Sequence, residues 1–358
     1  MTIKLRLIVP MSILGGSIAA QQPPGGPGPI RPSPISQNEL VGRMTTSLDS
    51  LAKAGQFSGV VVLGKNGVPV FQRAYGMADR ERGVANNPET GFNLGSINKI
   101  FTQIAILQLR ANGKLDLDST LSKYWPDYPN QEVARKITIR QLMRHTSGIG
   151  GNIFAPPAGG KRNDIRTLRD YLPLFVNQPL AFEPGTRNAY SNAGYVVLGL
   201  LIERLSGNDY YTYVREHIFK PAGMTRTGSF AVDSLPPNTA IGYTRGDQDA
   251  PLSAPLRANS PDLPGRGSSA GGGYSTAQDL VRFVQALREN RIPNGVPAGL
   301  GIAGGSGGIN GVVEGGLPGG YDLVVLANLD PPAAERVARM TREWLGVRDD
   351  EGGRRPGP

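Results

Sequence analysis

In the stretch "NLGSINKIFTQIAIL", residues 93–107, Ser96 and Lys99 stand three apart at the head of a run that is otherwise apolar. On a helix, positions i and i+3 share a face, so the hydroxyl and the amine can meet within the first turn. An apolar setting removes water from the lysine's charge and lowers its pKa, and a partly neutral amine can take a hydroxyl proton. The free N–H groups of a helix start also favour negative charge developing on the serine. Ser96 and Lys99 therefore read as a nucleophile beside its base. Farther along, Tyr190-Ser191-Asn192 places a phenol that could relay protons next to an amide that could hold a substrate carbonyl or the lysine. A third segment, "GIAGGSGGING" (301–311), is rich in glycine and precedes the last apolar strand.

Each of these residues also has a plainer reading. Ser96 could cap a helix and Lys99 could be solvated; Tyr190 could be a core tyrosine and Asn192 a cap; the glycines could form a turn. Two other serines, in "GSSAG" (267–271) and "GGSGG" (304–308), match the nucleophile elbow G-x-S-x-G. That arrangement needs a histidine later in the chain. His145 and His217 both come earlier, so neither elbow can be completed. His145, in "RHTSG", reads as a packing or hydrogen-bonding residue, and His217 as part of an amphipathic helix.

The elements that would position these groups follow from periodicity. Leu40, Met44, Leu48 and Leu51 recur at helical spacing, and "FSGVVVLGKNGVPVFQRAYG" holds two β-rich runs joined at Asn66-Gly67, a hairpin signal. At the other end "YDLVVLANLD" reads as a buried strand, followed by a helix with Ala333, Val337, Met340 and Trp344 on one face. An antiparallel sheet built from both chain ends is expected. Between them, the run after Ser96 lacks a polar face and should be a buried helix. "GYVVLGLLIERLSG" (194–207) is expected to be a helix stopped by Gly207, and "STAQDLVRFVQALREN" (275–290) another with a Ser/Thr start. The fold class is α/β (α+β), with a mostly helical lobe inserted into the sheet domain.

The chain has 358 residues, 39% hydrophobic and 19% charged, enough for one large core. Lys4 and Arg6 precede the apolar run "LIVPMSILGGSIAA", so residues 1–20 read as a cleavable signal peptide and the protein as secreted or periplasmic. At about 14 residues the run is shorter than the ~20 a spanning helix needs. A Pro/Gly-rich spacer is expected over 21–36, the folded domain over 37–347 and a disordered tail over 348–358. No cysteine is present, which excludes disulfides and thiolate chemistry. Two distant histidines and the lack of H-E-x-x-H argue against a metal, and no nucleotide-binding loop appears, so no cofactor is expected. Removing Lys4 and Arg6 takes the formal charge from +9 to +7, dispersed without dense Lys/Arg tracts. That pattern excludes nucleic acid as a partner and allows loose association with anionic envelope polymers.

Taken in order, S-x-x-K, Y-x-N and the blocks "ITIRQLMRHTSGIGG", "FEPGTRNAYSNAGYVVLGLLIERLSG", "IFKPAGMTRTG" and "AGGGYSTAQDLVRFVQAL" resemble the serine β-lactamase and penicillin-binding peptidase superfamily. The resemblance is to the branch of class C β-lactamases, D-stereospecific peptidases and lactamase-like carboxylesterases, and spans about residues 40–345. It implies a β-lactamase/DD-peptidase-like fold, with Ser96 acylated, Lys99 accepting its proton and Tyr190 assisting proton transfer to the leaving group. Asn192 would orient the substrate and the lysine. The oxyanion would sit between the backbone N–H groups of Ser96 and Gly305.

The third segment departs from the family. Where the superfamily carries Lys or His, then any residue and Gly, this chain has Ile302, Ala303 and Gly304. The missing cation would face the carboxylate of a β-lactam or a peptide terminus, a charge-assisted hydrogen bond of ~1.5–3 kcal/mol. The expected substrate is therefore a small neutral ester, with Ile302, Gly304 and Gly305 lining its site. Lactam or D-peptide hydrolysis, and a catalytically weak envelope-binding role, are the competing expectations. The segment 291–301 is also shorter than the family's, so part of a strand or pocket wall is expected to be missing.

Overall fold

The computed structural model describes residues 35–246, 250–294 and 300–347. The signal peptide, most of the spacer and the tail anticipated from the sequence lie outside these residues. Two residues assigned to the spacer belong to the folded unit instead. Ile35 packs against the core, and the Ser36 hydroxyl accepts from the Glu39 N–H at 3.2 Å, capping helix α1 (Gln37–Lys53). A free helix N–H and an apolar side chain both gain from being covered, which sets the boundary earlier than composition does.

Strands β1 (Gly59–Lys65) and β2 (Val68–Tyr75) form the expected hairpin. Its two-residue turn takes left-handed backbone at Asn66 (φ 52°) and Gly67 (φ 82°), which Asn and Gly tolerate best. From the other chain end come β3 (Gly301–Ser306), β4 (Ile309–Leu317) and β5 (Tyr321–Ala327). All pairings are antiparallel, in the order β2-β1-β5-β4-β3, with Val61 opposite Val325 and Gly304 opposite Gly311. The strand expected to be curtailed, β3, is present as an edge paired along β4.

The central strands are buried on both faces, which is why they read as unbroken apolar runs rather than alternating ones. Val61, Leu63, Leu323 and Val325 face a cluster shared with α1 and the terminal helix α5 (Ala333–Trp344). Val60, Val62, Val324 and Leu326 face the larger cluster, which runs into the inserted lobe. That lobe holds α2 (Lys99–Ala111) and α3 (Asn192–Ser206), with α4 (Ala277–Arg288) lying between it and the sheet. Helix α3 is capped by Ser191, whose hydroxyl accepts from the Gly194 N–H, and stops at Gly207 (φ 78°). Helix α4 starts at Thr276, whose neighbour Ser275 is paired with Phe92 in a short two-stranded ribbon rather than in the helix. Among the described residues no helix is long and apolar enough to cross a membrane.

Since Leu326 is fully buried between sheet and lobe, Leu326→Ala should lower stability by ~2–5 kcal/mol in urea titration. Val68→Ala, at a side chain 64% exposed on the edge strand, should stay within about 0.5 kcal/mol of the parent.

Candidate active site

Ser96 sits in a tight 3₁₀ turn, Gly95–Asn98, that runs directly into α2, so Lys99 is the first residue of the α-helix and Ser96 stands just ahead of it. The turn is compressed from two sides. At Gly304 an added Cβ would lie 2.6 Å from the Leu94 carbonyl oxygen and 2.8 Å from the Ser96 nitrogen. At Gly95, whose φ is +49°, it would lie 3.3 Å from the Gly305 nitrogen. The glycines thus let β3 lie against the serine turn and bring the Ser96 and Gly305 N–H groups to one wall, the pair expected to hold an oxyanion.

Lys99 is completely buried. Its Nζ lies 3.2 Å from Ser96 Oγ and 2.8 Å from Asn192 Oδ1, and it also donates to the Ala270 carbonyl. The rings of Tyr190 and Tyr195 flank it at 4.7 and 5.4 Å. None of the ion pairs among the described residues includes it, and burial alone pulls its pKa from 10.5 down to about 7. In the neutral amine two N–H groups remain. The amide oxygen of Asn192 and the Ala270 carbonyl can only accept, so they take those two, and the lone pair is left for the one partner able to donate, the Ser96 hydroxyl.

Tyr190 Oη donates to Ser96 Oγ from the other side at 2.5 Å. Burial raises the phenol's pKa, more than its bond to Ser96 lowers it, so it stays protonated near neutral pH. The geometry thus suits Tyr190 to donate a proton and Lys99 to accept one. His145 is buried under Tyr190, with ring centroids 4.6 Å apart, and stacks on Tyr195 at 5.0 Å on its other face. Its Nδ1 accepts from the Ser191 N–H at 3.0 Å, which ties the histidine to the start of α3 and hence to Asn192. His217 is exposed and packs beside Tyr213, far along the chain from these contacts.

The structure brings Ser96, Lys99, Tyr190, Asn192, Gly304 and Gly305 together. Ile302 is placed differently from the expectation that it contacts substrate. Its side chain packs against the larger core cluster and is not in the lining of either cavity beside Ser96, because an apolar side chain on β3 gains more from the core than from a polar cleft. Ala270 is the residue that sequence reasoning missed. It lies in "GSSAG", the segment set aside as an elbow, and acts through its backbone carbonyl, which no side-chain pattern reveals. Ser269 of the same segment is fully buried and donates to the Tyr195 carbonyl, so it is not a nucleophile.

With a lysine-paired serine beneath a glycine-rich sheet edge, the fold and site define the class of serine-type β-lactamase and penicillin-binding-protein-like hydrolases. The chain belongs to the beta-lactamase family, whose model matches residues 45–346. It is 34% identical over 238 residues to the putative penicillin-binding protein PbpX of Bacillus subtilis, covering 66% of this chain and 56% of that one. The chain thus spans about half the length of that relative. A penicillin-binding protein from Bacillus halodurans superposes with a TM-score of 0.71 at 29% identity, covering 83% of this chain and 98% of that one. The hydrolase EstCE1 shares the fold with a TM-score of 0.69 at 21% identity, covering 86% and 99%. So does the D-amino acid amidase of Ochrobactrum anthropi, at 0.70 and 21%, covering 89% and 100%.

Two outcomes follow. Acylation of Ser96 by a fluorophosphonate should rise about tenfold per pH unit below pH 7 and level off above it, and Lys99→Arg, charged at every accessible pH, should abolish it. Gly304→Ala should slow acylation by at least about tenfold, because the contacts to be relieved are with backbone, while costing ~1–3 kcal/mol in stability.

Proposed function

We propose that the protein is an exported serine hydrolase that works through an acyl-enzyme at Ser96, and that it is a carboxylesterase whose substrates are neutral where the leaving group meets the sheet. The observation that carries the hydrolase reading is the convergence of Lys99 and Tyr190 on Ser96 Oγ, one able to accept a proton and the other to donate one. Ester specificity is supported by the sequence of β3, Gly301–Ser306, which carries no lysine or histidine to meet a lactam or peptide carboxylate. The naming of one structural neighbour as a hydrolase with promiscuous acyltransferase activity agrees with acyl-enzyme chemistry. Export rests on Lys4 and Arg6 ahead of the apolar N-terminal run, and the dispersed positive charge suits loose contact with anionic envelope polymers.

In this reading the Ser96 hydroxyl gives its proton to neutral Lys99 as Oγ bonds to the ester carbonyl carbon. The carbonyl oxygen becomes the oxyanion between the Ser96 and Gly305 N–H groups. When the tetrahedral adduct collapses, the bond from carbon to the alcohol oxygen breaks, and that oxygen receives a proton from Tyr190, replenished from the Lys99 ammonium. Water then repeats the sequence on the acyl-enzyme and releases the acid. Ester and water together supply every atom of the acid and the alcohol, and the protons return to Tyr190 and Lys99.

Steady-state rates on p-nitrophenyl acetate and butyrate should exceed those on nitrocefin and on a D-alanyl-D-alanine peptide, and Ser96→Ala should remove at least about 1000-fold of the ester rate. Faster nitrocefin turnover would refute the ester preference. Absence of a fluorophosphonate adduct in the intact mass would refute the enzyme and leave a binding protein.

A further inference from the structure

Two adjoining cavities open at Ser96; they share Phe154, Asn192, Thr244 and Gly305 but differ at their far ends. One, of about 330 Å³, includes Tyr190 but not Arg162. The other, of about 290 Å³, includes Arg162 but not Tyr190. The leaving group must lie on the side of the phenol that protonates it, so the second cavity holds the acyl chain. Its charged lining groups are Arg162, Arg257 and Asp262. Arg257 and Asp262 pair with each other at 2.7 Å and cancel.

Among the described residues Arg162 has no such partner. It appears in no ion pair among them; one terminal nitrogen donates to the Phe154 carbonyl, the guanidinium lies 5.3 Å from the Phe154 ring centroid, and Nε is buried without a hydrogen-bond acceptor. Asp262, the acid that acts on it electrostatically, is already engaged by Arg257. The backbone at Arg162 is fixed. It opens the short 3₁₀ turn Arg162–Asp164, the Asp164 carboxylate accepts from the Lys161 N–H at 2.7 Å, and the Arg162 carbonyl accepts from the Gly265 N–H at 3.3 Å. A half-buried guanidinium held in place on a cavity wall, whose second terminal nitrogen has no hydrogen-bond partner among the described residues, fits an anion.

We propose that Arg162 is a specificity residue that binds a carboxylate at the distal end of the acyl chain, so that the preferred substrates are monoesters of dicarboxylic acids, neutral at the leaving group and anionic at the far end of the acid. This rests on the acyl-enzyme reading above and assigns the anion contact to the loop wall rather than to β3. Because Arg257 and Asp262 neutralise each other, Arg162 is the one unbalanced charge among the described residues lining this cavity.

The experiment compares p-nitrophenyl hydrogen adipate with its methyl-capped diester, in which a methyl group replaces that charge. The wild-type ratio of kcat/KM, anionic over capped, should be about ten or more. Arg162→Gln should bring the ratio to about one or below, and Arg162→Lys should keep part of it; reading the ratio within each variant cancels any general loss of folded protein. Calorimetry with Ser96→Ala supplies an arm independent of turnover, in which monomethyl adipate should bind more tightly than dimethyl adipate, and the difference should vanish when Arg162→Gln is added. A wild-type ratio at or below one, or an equal ratio in wild type and Arg162→Gln, overturns the assignment while leaving the esterase intact. If no ester is hydrolysed the esterase reading fails, and the calorimetric difference alone decides whether Arg162 binds the carboxylate.

Discussion

The site depends on one amine kept dry with no acid to balance it. Lys99 is surrounded by neutral oxygens and two aromatic rings, and burial accounts for its fall in pKa. The unfolded chain holds that proton until pH 10.5 and the folded one only until about pH 7. Between those values the unfolded state binds more protons, so folding becomes more favourable as pH rises, and below pH 7 the full penalty applies. At ~1.4 kcal/mol for each tenfold change in proton affinity, that penalty is on the order of 5 kcal/mol, comparable with the net stability of many domains. The large core beneath α2 and α3 offsets it. A carboxylate beside Lys99 would relieve the penalty and lock the amine in its charged form, so the instability and the basicity have the same origin.

Keeping that pocket dry requires three chain segments to approach closer than side chains allow. Gly304 admits β3 to the serine turn, and Gly271, where a Cβ would stand 3.0 Å from the Gly95 carbonyl oxygen, admits the 267–273 segment from the opposite side. Gly199 performs the same service in α3, since a Cβ there would lie 2.2 Å from Ser269 Oγ. Ser269 donates to the Tyr195 carbonyl and its own carbonyl accepts from Thr102, so the segment bridges α2 and α3 at the level of the lysine. The Ala270 carbonyl is thereby presented to the amine by backbone geometry alone.

This division explains what could be read from the sequence. The hairpin at Asn66-Gly67, the helices beginning near Gln37 and Ser191 and the terminal strand and helix were legible, because turn chemistry, capping and apolar spacing act locally. Ser96, Lys99, Tyr190 and Asn192 were legible because their chemistry resides in side chains. The start of the folded unit at Ile35 was obscured by the proline and glycine around it, and its packing depends on a cluster formed by distant segments. Ile302 was assigned to the substrate from its alignment with a cation, whereas an isoleucine at that register gains by facing the core. Ala270 and Arg162 had no local signal at all. One acts through a main-chain oxygen, and the other is defined by its place on the cavity wall, which only the folded chain supplies.

The tyrosine must satisfy a requirement opposite to that of the lysine. In the proposed reaction its hydroxyl has to reach both Ser96 and the departing alcohol, and a side chain 45% exposed suits that role. An exposed aromatic would ordinarily sample several rotamers, which would disperse the proton it has to deliver. Here one face of the ring is stacked on buried His145, which is itself stacked on Tyr195 and tied through Nδ1 to the Ser191 N–H. His145 thus lies as a floor under the ring, and it connects the ring to the same helix start that presents Asn192 to the lysine. The left-handed backbone at His145 (φ 57°), uncommon for a residue with a Cβ, is held by the Ala189 N–H donating to its carbonyl at 2.9 Å. Backbone strain at one buried ring therefore fixes the donor at the mouth of the cleft while the base below it stays sealed from water.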